Sequence, residues 1–276
     1  MPKTLIIYHA DCTDGFTASW VARQKFGSAA DGTLYYSAYH GEQPPDLLID
    51  SNTSVYILDF SYSREDLLKI RNTAKSLTVI DHHKTAEKAL RGLNFCIFDM
   101  ERSGAGLTWD TLFPNHQRPW LVDYVEDRDL WNWKLPNSKA INAYISSLPM
   151  NYVVWDNLDL YPEPTYEMID RGRSILDYMN RGVEDIIRNT MREVVFDGYT
   201  VPVVNANRQL LSNTLNKLVV DNARYQFAVG WYMDKEGKYI YSLASVGDFD
   251  VSEIAVRHGG GGHKNAAGFQ SDKLVV

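Results

Sequence analysis

The sequence is short of cysteine, of positive charge and of long apolar runs, and each shortage removes a class of protein. Cys12 and Cys96 are the two cysteines in 276 residues. Without a CxxC pair or an even-numbered framework, a disulfide scaffold and a structural zinc finger are disfavoured, and a reducing compartment fits. Lys and Arg number 28 against 35 Asp and Glu, for a formal charge of −7. Proteins that track along duplexes need a basic stripe to neutralise phosphates, so long nucleic acid is a poor candidate partner. A short phosphorylated ligand remains compatible, provided metal ions and a few basic groups supply local positive charge. No apolar run reaches the ~18 residues of a membrane span, and the opening "MPKTLIIYHADC" has too short an apolar stretch for a secretory leader. The expectation is a soluble, cytoplasmic chain. Core-forming residues are plentiful, at 45% hydrophobic and 12% aromatic, enough for two domains of ordinary size.

The first 113 residues alternate strand-like and helix-like segments. "TLIIYHA", "LYYSAYH", "VYILDF", "SLTVID" and "FCIFDM" read as strands. Between them, "DGFTASWVARQKFG" has helical spacing and closes on Gly27, and Ser63-Arg64-Glu65-Asp66 opens a helix with a capping-box pattern. "TAEKALRGL" and "SGAGLTWDTLF" are further helices. Strands alternating with helices of this size predict a parallel sheet covered on both faces. From about Pro119 to Val194 the pattern is helical, ending in a long connector. From Gly198 strands return ("YTVPVVNA", "YQFAVGWYM", "YIYSLASV"), then a helix "VSEIAVRHG" ending in four glycines. The predicted division is an α/β domain over 1–180, a helical linker over 181–195 and a smaller α+β domain over 196–276.

Three predicted strands end in acids or imidazoles: His9, Asp11 and Asp14 after the first, Asp59 after the third, and Asp81-His82-His83 after the fourth. In an open α/β sheet, ligands bind beyond the carboxyl ends of the strands. Carboxylates gathered there would repel one another and be pushed upward in pKa unless a cation held them. Carboxylate mixed with imidazole suits Mn²⁺ or a similar first-row ion better than Ca²⁺. Any one of these acids alone reads as a helix cap, and Asp14 before "GFTAS" fits that reading. Convergence of all of them is what favours a metal site. A second cluster is "RHGGGGHKNAAGF", where consecutive glycines let backbone N–H groups approach a phosphate and His263 and Lys264 could add charged hydrogen bonds. A plain connecting loop is the alternative for that segment.

Together these segments resemble the DHH phosphoesterase family, in the branch with a C-terminal DHHA1-type domain. The motifs occur in order: "HADCTDG", "LDFS", "DHH", "EDRDLW" and "GGGGHKNAAGF". The resemblance implies a Rossmann-like parallel-sheet DHH domain, a helical connector and a DHHA1-type substrate-binding domain. It also implies two Mn²⁺ ions, with Mg²⁺ or Co²⁺ as substitutes. Asp59 would bridge them, His9 would hold one, and Asp14, His82 and Asp127 the other. Asp127 is preferred to Asp129 because Trp131 follows it by four residues, as in the family's motif. Asp81 would orient a neighbouring imidazole, His83 would face the scissile phosphate, and Arg257, Gly260, Gly261, Gly262, His263 and Lys264 would hold substrate. The first motif departs from the family's D-x-D-G pattern, reading Cys12-Thr13-Asp14-Gly15. Either Asp11 substitutes for the missing acid, or the first metal site is weaker or fills only with substrate.

The implied activity is Mn²⁺-dependent hydrolysis of phosphodiester bonds in short oligonucleotides or small nucleotides by metal-activated water. A nucleotide phosphatase of the 3′-phosphoadenosine 5′-phosphate type and a cyclic-dinucleotide phosphodiesterase are the enzymatic alternatives. A non-catalytic nucleotide-binding module with a degenerate metal site is the alternative of another kind. No membrane partner is expected, and a homodimer is compatible with the sequence.

Overall fold

The computed structural model describes residues 3–276. They divide into two units, the first ending at residue 176 and the second spanning 177–276, the division lying inside a long helix. In the first unit the order is β1 (Thr4–His9), α1 (Thr13–Phe26), β2 (Thr33–Ala38), β3 (Ser54–Leu58), α2 (Arg64–Thr73), β4 (Ser76–Asp81), α3 (Lys84–Leu90), β5 (Cys96–Phe98) and α4 (Gly104–Leu112). Helices α5 (Trp120–Asp129), α6 (Ser138–Ser147) and α7 (Tyr152–Asp159) follow, and α8 (Tyr166–Thr190) runs across the division.

The five strands form one sheet in the order β2-β1-β3-β4-β5, parallel throughout. Alternate side chains leave a strand on opposite faces, and here both faces are covered. Leu5, Ile7, Ile57 and Val79 pack with Leu67 and Ile70 of α2. Ile6, Leu58 and Ile80 pack on the other face with Trp20 and Val21 of α1, Ala105 of α4 and Leu121 of α5. That double burial explains why the strands read as continuous apolar runs rather than alternating ones. The chain leaves β1 for one neighbour, β2, and returns on its other side as β3, so the switch point of the sheet lies between β1 and β3. The register pairs Tyr8 with Leu58, and Leu58 with Ile80. The next residues along, His9, Asp59 and Asp81, therefore lie level at the carboxyl edge.

The second unit continues with β6 (Arg192–Phe196), β7 (Tyr199–Asn205), α9 (Arg208–Asp221), β8 (Phe227–Met233), β9 (Tyr239–Ser245), α10 (Val251–Arg257), β10 (Gly261–Gly262) and β11 (Ala266–Ser271). Its sheet runs β10-β11-β9-β8-β7-β6, antiparallel except for the β7–β8 pair that α9 connects. Helix α10 packs on one face with Val201, Phe227 and Leu243, and α9 on the other with Val204 and Ala228. The helical reading of residues 192–195 is corrected: α8 stops at Thr190, and Arg192–Phe196 pairs antiparallel with β7. In helix α9, Leu211, Leu215, Leu218 and Val219 supply the buried apolar face.

Candidate metal centre

Asp59 sits at the centre of the first unit's carboxyl edge. It follows the last residue of β3, is 1% exposed and takes a left-handed backbone conformation (φ 53°). Such a conformation is uncommon outside glycine and turns the side chain out of the strand's alternation. Its two oxygens face different imidazoles: Oδ2 lies 3.4 Å from His9 Nδ1 and Oδ1 lies 3.1 Å from His82 Nε2. Two glycines make room for it. A Cβ on Gly104 would lie 2.4 Å from the Asp59 Cβ, and one on Gly15 would lie 2.5 Å from the His9 carbonyl oxygen and 3.1 Å from Asp59 Oδ2.

His82 Nε2 is ringed by acids. Besides Asp59, Asp14 Oδ2 lies 3.7 Å away and Asp129 Oδ2 3.5 Å away. Asp14 also accepts hydrogen bonds from the backbone N–H groups of Gly104 (2.6 Å) and Ala105 (3.0 Å). It thus caps α4, rather than α1 in which it resides, and satisfies N–H groups that have no partner inside the helix. Burial, then the charges of Asp129 and Asp59, push the Asp14 carboxyl well above the usual carboxylate range. Burial opposes charge on His82, but the Asp129, Asp59 and Asp14 carboxylates outweigh it and raise its pKa well above that of free imidazole. Burial likewise opposes charge on Asp59, yet the flanking His82 and His9 hold it well below the carboxylate range. A set of acids this crowded gains from a cation among them.

On the other side of Asp59, His9, Cys12 and Asp59 each offer a ligand atom within 4.8 Å of the others. His9 Nδ1 and Asp59 Oδ1 are buried with no well-aligned hydrogen-bond partner among the described residues. Buried polar atoms left in that state are costly unless something else binds them. Asp14, Asp59 and His82 form a second such group, and the chemistry of these donors fits a divalent cation. His83 stands beside them, its ring centroid 6.1 Å from that of His9. Its Nδ1 lies 2.7 Å from Asp81 Oδ1. Asp81 also accepts from the His82 N–H (2.7 Å), the His83 N–H (3.3 Å) and the Ser61 hydroxyl (2.6 Å). Burial would push Asp81 up, but His83 and these hydrogen bonds hold it below the carboxylate range.

Two of the expected residues stand elsewhere. The Asp127 carboxylate accepts from the N–H groups of Lys134 (2.9 Å) and Leu135 (3.3 Å). It therefore organises the loop after α5, and Asp129 is the acid of that motif beside His82. Asp11, proposed as a stand-in for the missing acid, has φ 50° and accepts from the Tyr39 hydroxyl at 3.2 Å; Cys12 occupies the place beside His9. Sequence reasoning missed His40, whose ring centroid is 4.8 Å from that of His9 and 6.0 Å from that of His83. The signal available was an imidazole closing "LYYSAYH". In the second unit, Arg257 pairs with Asp197 and Lys264 Nζ lies 2.9 Å from Asp248. The His263 N–H donates to the Ala266 carbonyl (2.8 Å). Gly261 and Gly262 pair with β11, and a Cβ on Gly260 would lie 2.0 Å from the Gly268 carbonyl oxygen. A Cβ on Gly262 would lie 2.7 Å from the Ala266 carbonyl oxygen, so this tight strand approach requires glycine at 260 and 262.

Comparisons with known proteins agree with this architecture. The family model described as DHHA1 domain matches residues 197–275. An uncharacterised protein of Acanthamoeba polyphaga mimivirus is 29% identical over 280 residues, covering 96% of this chain and 66% of that protein. The chain thus spans just under two thirds of that relative's length. Oligoribonuclease NrnB of Bacillus subtilis is 24% identical over 294 residues, covering 95% of this chain and 71% of NrnB. Among solved structures, RecJ in complex with Mn²⁺ from Thermus thermophilus superposes with a TM-score of 0.55 at 14% identity, over 98% of this chain and 49% of RecJ. That last likeness is one of fold. The family match thus lies in the second unit, and the similarity to NrnB runs along nearly the whole chain.

Proposed function

We propose that this protein is a divalent-metal-dependent phosphoesterase that hydrolyses phosphodiester bonds of short oligonucleotides or small nucleotides. The observation that carries the reading is Asp59, one oxygen turned to His9 and the other to His82, at the switch point of the sheet. His9 and Asp59 would hold one ion, and Asp59, Asp14, His82 and Asp129 the other. When bound, such a pair supplies Lewis acidity and a water acidic enough to act as nucleophile near neutral pH.

The remaining residues have roles of their own. Asp81, held by Ser61 and two backbone N–H groups, fixes the His83 ring through Nδ1. Its Nε2 would be the atom to meet a phosphoryl oxygen or to pass a proton to the leaving oxygen. The crowded acids would repel a bare phosphate, so substrate binding waits on metal. The chain's acidity argues for a short substrate, and NrnB, related at 24% identity, bears the name oligoribonuclease.

The test is a panel of dinucleotide, tetranucleotide, 3′-phosphoadenosine 5′-phosphate and cyclic dinucleotide, assayed with Mn²⁺ and after metal removal by a chelator. The expected result is fastest turnover of the linear di- or tetranucleotide, lost on chelation and lost in Asp59→Asn. Undiminished turnover in Asp59→Asn would overturn the metal assignment. Faster turnover of the phosphoadenosine or cyclic substrate would overturn the choice of substrate.

A further inference from the structure

The two metal positions differ in their donors. Around His82 the neighbours are carboxylates: Asp59, Asp14 and Asp129. On the His9 side one of the three clustered donors is a thiol, that of Cys12. Cys12 stands at the N-cap of α1, yet its side chain makes no capping hydrogen bond to that helix; it interacts with His9 instead. His9 Nδ1, facing the same place, is a buried atom with no well-aligned partner among the described residues. Asp59, 1% exposed, supplies the third donor.

We propose that this first position is a mixed nitrogen, oxygen and sulfur site that takes a thiophilic divalent ion, Zn²⁺ or Co²⁺, in preference to Mn²⁺. The inference rests on the metal-centre reading above and adds the identity of the ion. Thiolate is a soft ligand and imidazole suits Zn²⁺ well, whereas Mn²⁺ and Mg²⁺ favour oxygen-rich sets. At a common set of donors, affinity also rises from Mn²⁺ through Co²⁺. Three protein donors leave the fourth position open, the arrangement of a catalytic rather than a structural zinc site. Binding replaces the thiol proton by the metal–sulfur bond, and that proton goes to solvent. The carboxylate-rich position around His82 keeps its preference for a harder ion. The centre is therefore asymmetric, with one thiophilic and one oxygen-seeking position sharing Asp59.

The experiment uses the full chain, stripped of metal and titrated with Co²⁺, whose thiolate complexes absorb in the near ultraviolet as well as the visible. The wild type and Cys96→Ser should give both absorptions. Cys12→Ser, a near-isosteric change checked for folding by circular dichroism, should keep the visible bands and lose the near-ultraviolet one. In competition between Zn²⁺ and Mn²⁺, Cys12→Asp should shift preference toward Mn²⁺ by at least ~10-fold, the low end of losses seen when a metal site loses a supporting group. Visible cobalt bands that vanish in Asp59→Asn, without any near-ultraviolet band in the wild type, would overturn the sulfur ligand while leaving the metal centre standing. A Zn²⁺-to-Mn²⁺ preference unchanged in Cys12→Asp would overturn it too. A wild-type chain that binds none of the three ions would overturn both readings.

Discussion

At the scale of single residues, the centre depends on side chains that would be unstable as neighbours without structural support. Asp59 adopts φ 53° between two glycines, and the one on α4 leaves no room for a methyl group. Gly104→Ala should accordingly cost ~1–3 kcal/mol, the usual range for forcing an extra methyl into a packed site. Because the clash falls on Asp59 itself, metal affinity should drop along with stability. Thermal unfolding with and without Mn²⁺ measures both effects. An unchanged melting temperature together with unchanged metal stabilisation would mean that α4 gives way freely. His83 illustrates a different support: its orientation comes from Asp81, which is fixed in turn by Ser61 from the loop after β3.

At the scale of elements, helix α5 carries two acids two residues apart in different surroundings. Asp127→Ala would remove the part-buried hydrogen bonds from the Lys134 and Leu135 N–H groups, a loss of ~0.5–1.5 kcal/mol for each bond. It should lower stability while leaving metal stoichiometry intact. Asp129→Asn should do the reverse, weakening metal binding with little change in metal-free stability. Equal effects of the two in both assays would mean that the motif's acids share one role. That distinction was out of reach of the sequence, because a motif spacing gives the order of residues and not which carboxylate the turn after α5 absorbs. The polar ends of β1, β3 and β4 were legible, since an apolar run that stops at Asp or His marks the carboxyl edge of a buried strand. Strand β6 was not: "REVVF" continues a helical pattern, and only its pairing with β7, Arg192 opposite Val203, decides for strand. His40 escaped notice for a similar reason. It lies two residues beyond β2, and its nearness to His9 comes from β2 and β1 being neighbours.

At the scale of the whole molecule, the formal charge of −7 sets the terms on which a polyanion is met. Each added phosphate brings repulsion that fixed basic groups would have to offset, and the two named cations of the glycine loop are already paired with Asp197 and Asp248. The specificity constant, kcat/KM, should therefore fall from di- and tetranucleotides to longer strands at fixed salt. The length dependence should soften as salt screens the repulsion. Turnover that rises with strand length would sink the preference for short substrates.

The placement of the donors along the chain also bears on how the protein is made. His9, Cys12, Asp14, Asp59, His82 and Asp129 all lie in the first half of 276 residues. Because His9, Asp59 and His82 lie at the carboxyl ends of parallel strands joined by crossovers, the donors meet only after β1, β3 and β4 have paired, and such pairing is slow to form. Domains generally fold in order of synthesis, at ~5–20 residues per second, so the ribosome is still occupied for several seconds after the last donor is in the chain. During that interval the gathered acids and the thiol belong to a nascent protein. The ions available at the ribosome, rather than those met after release, then have the first opportunity to occupy the centre.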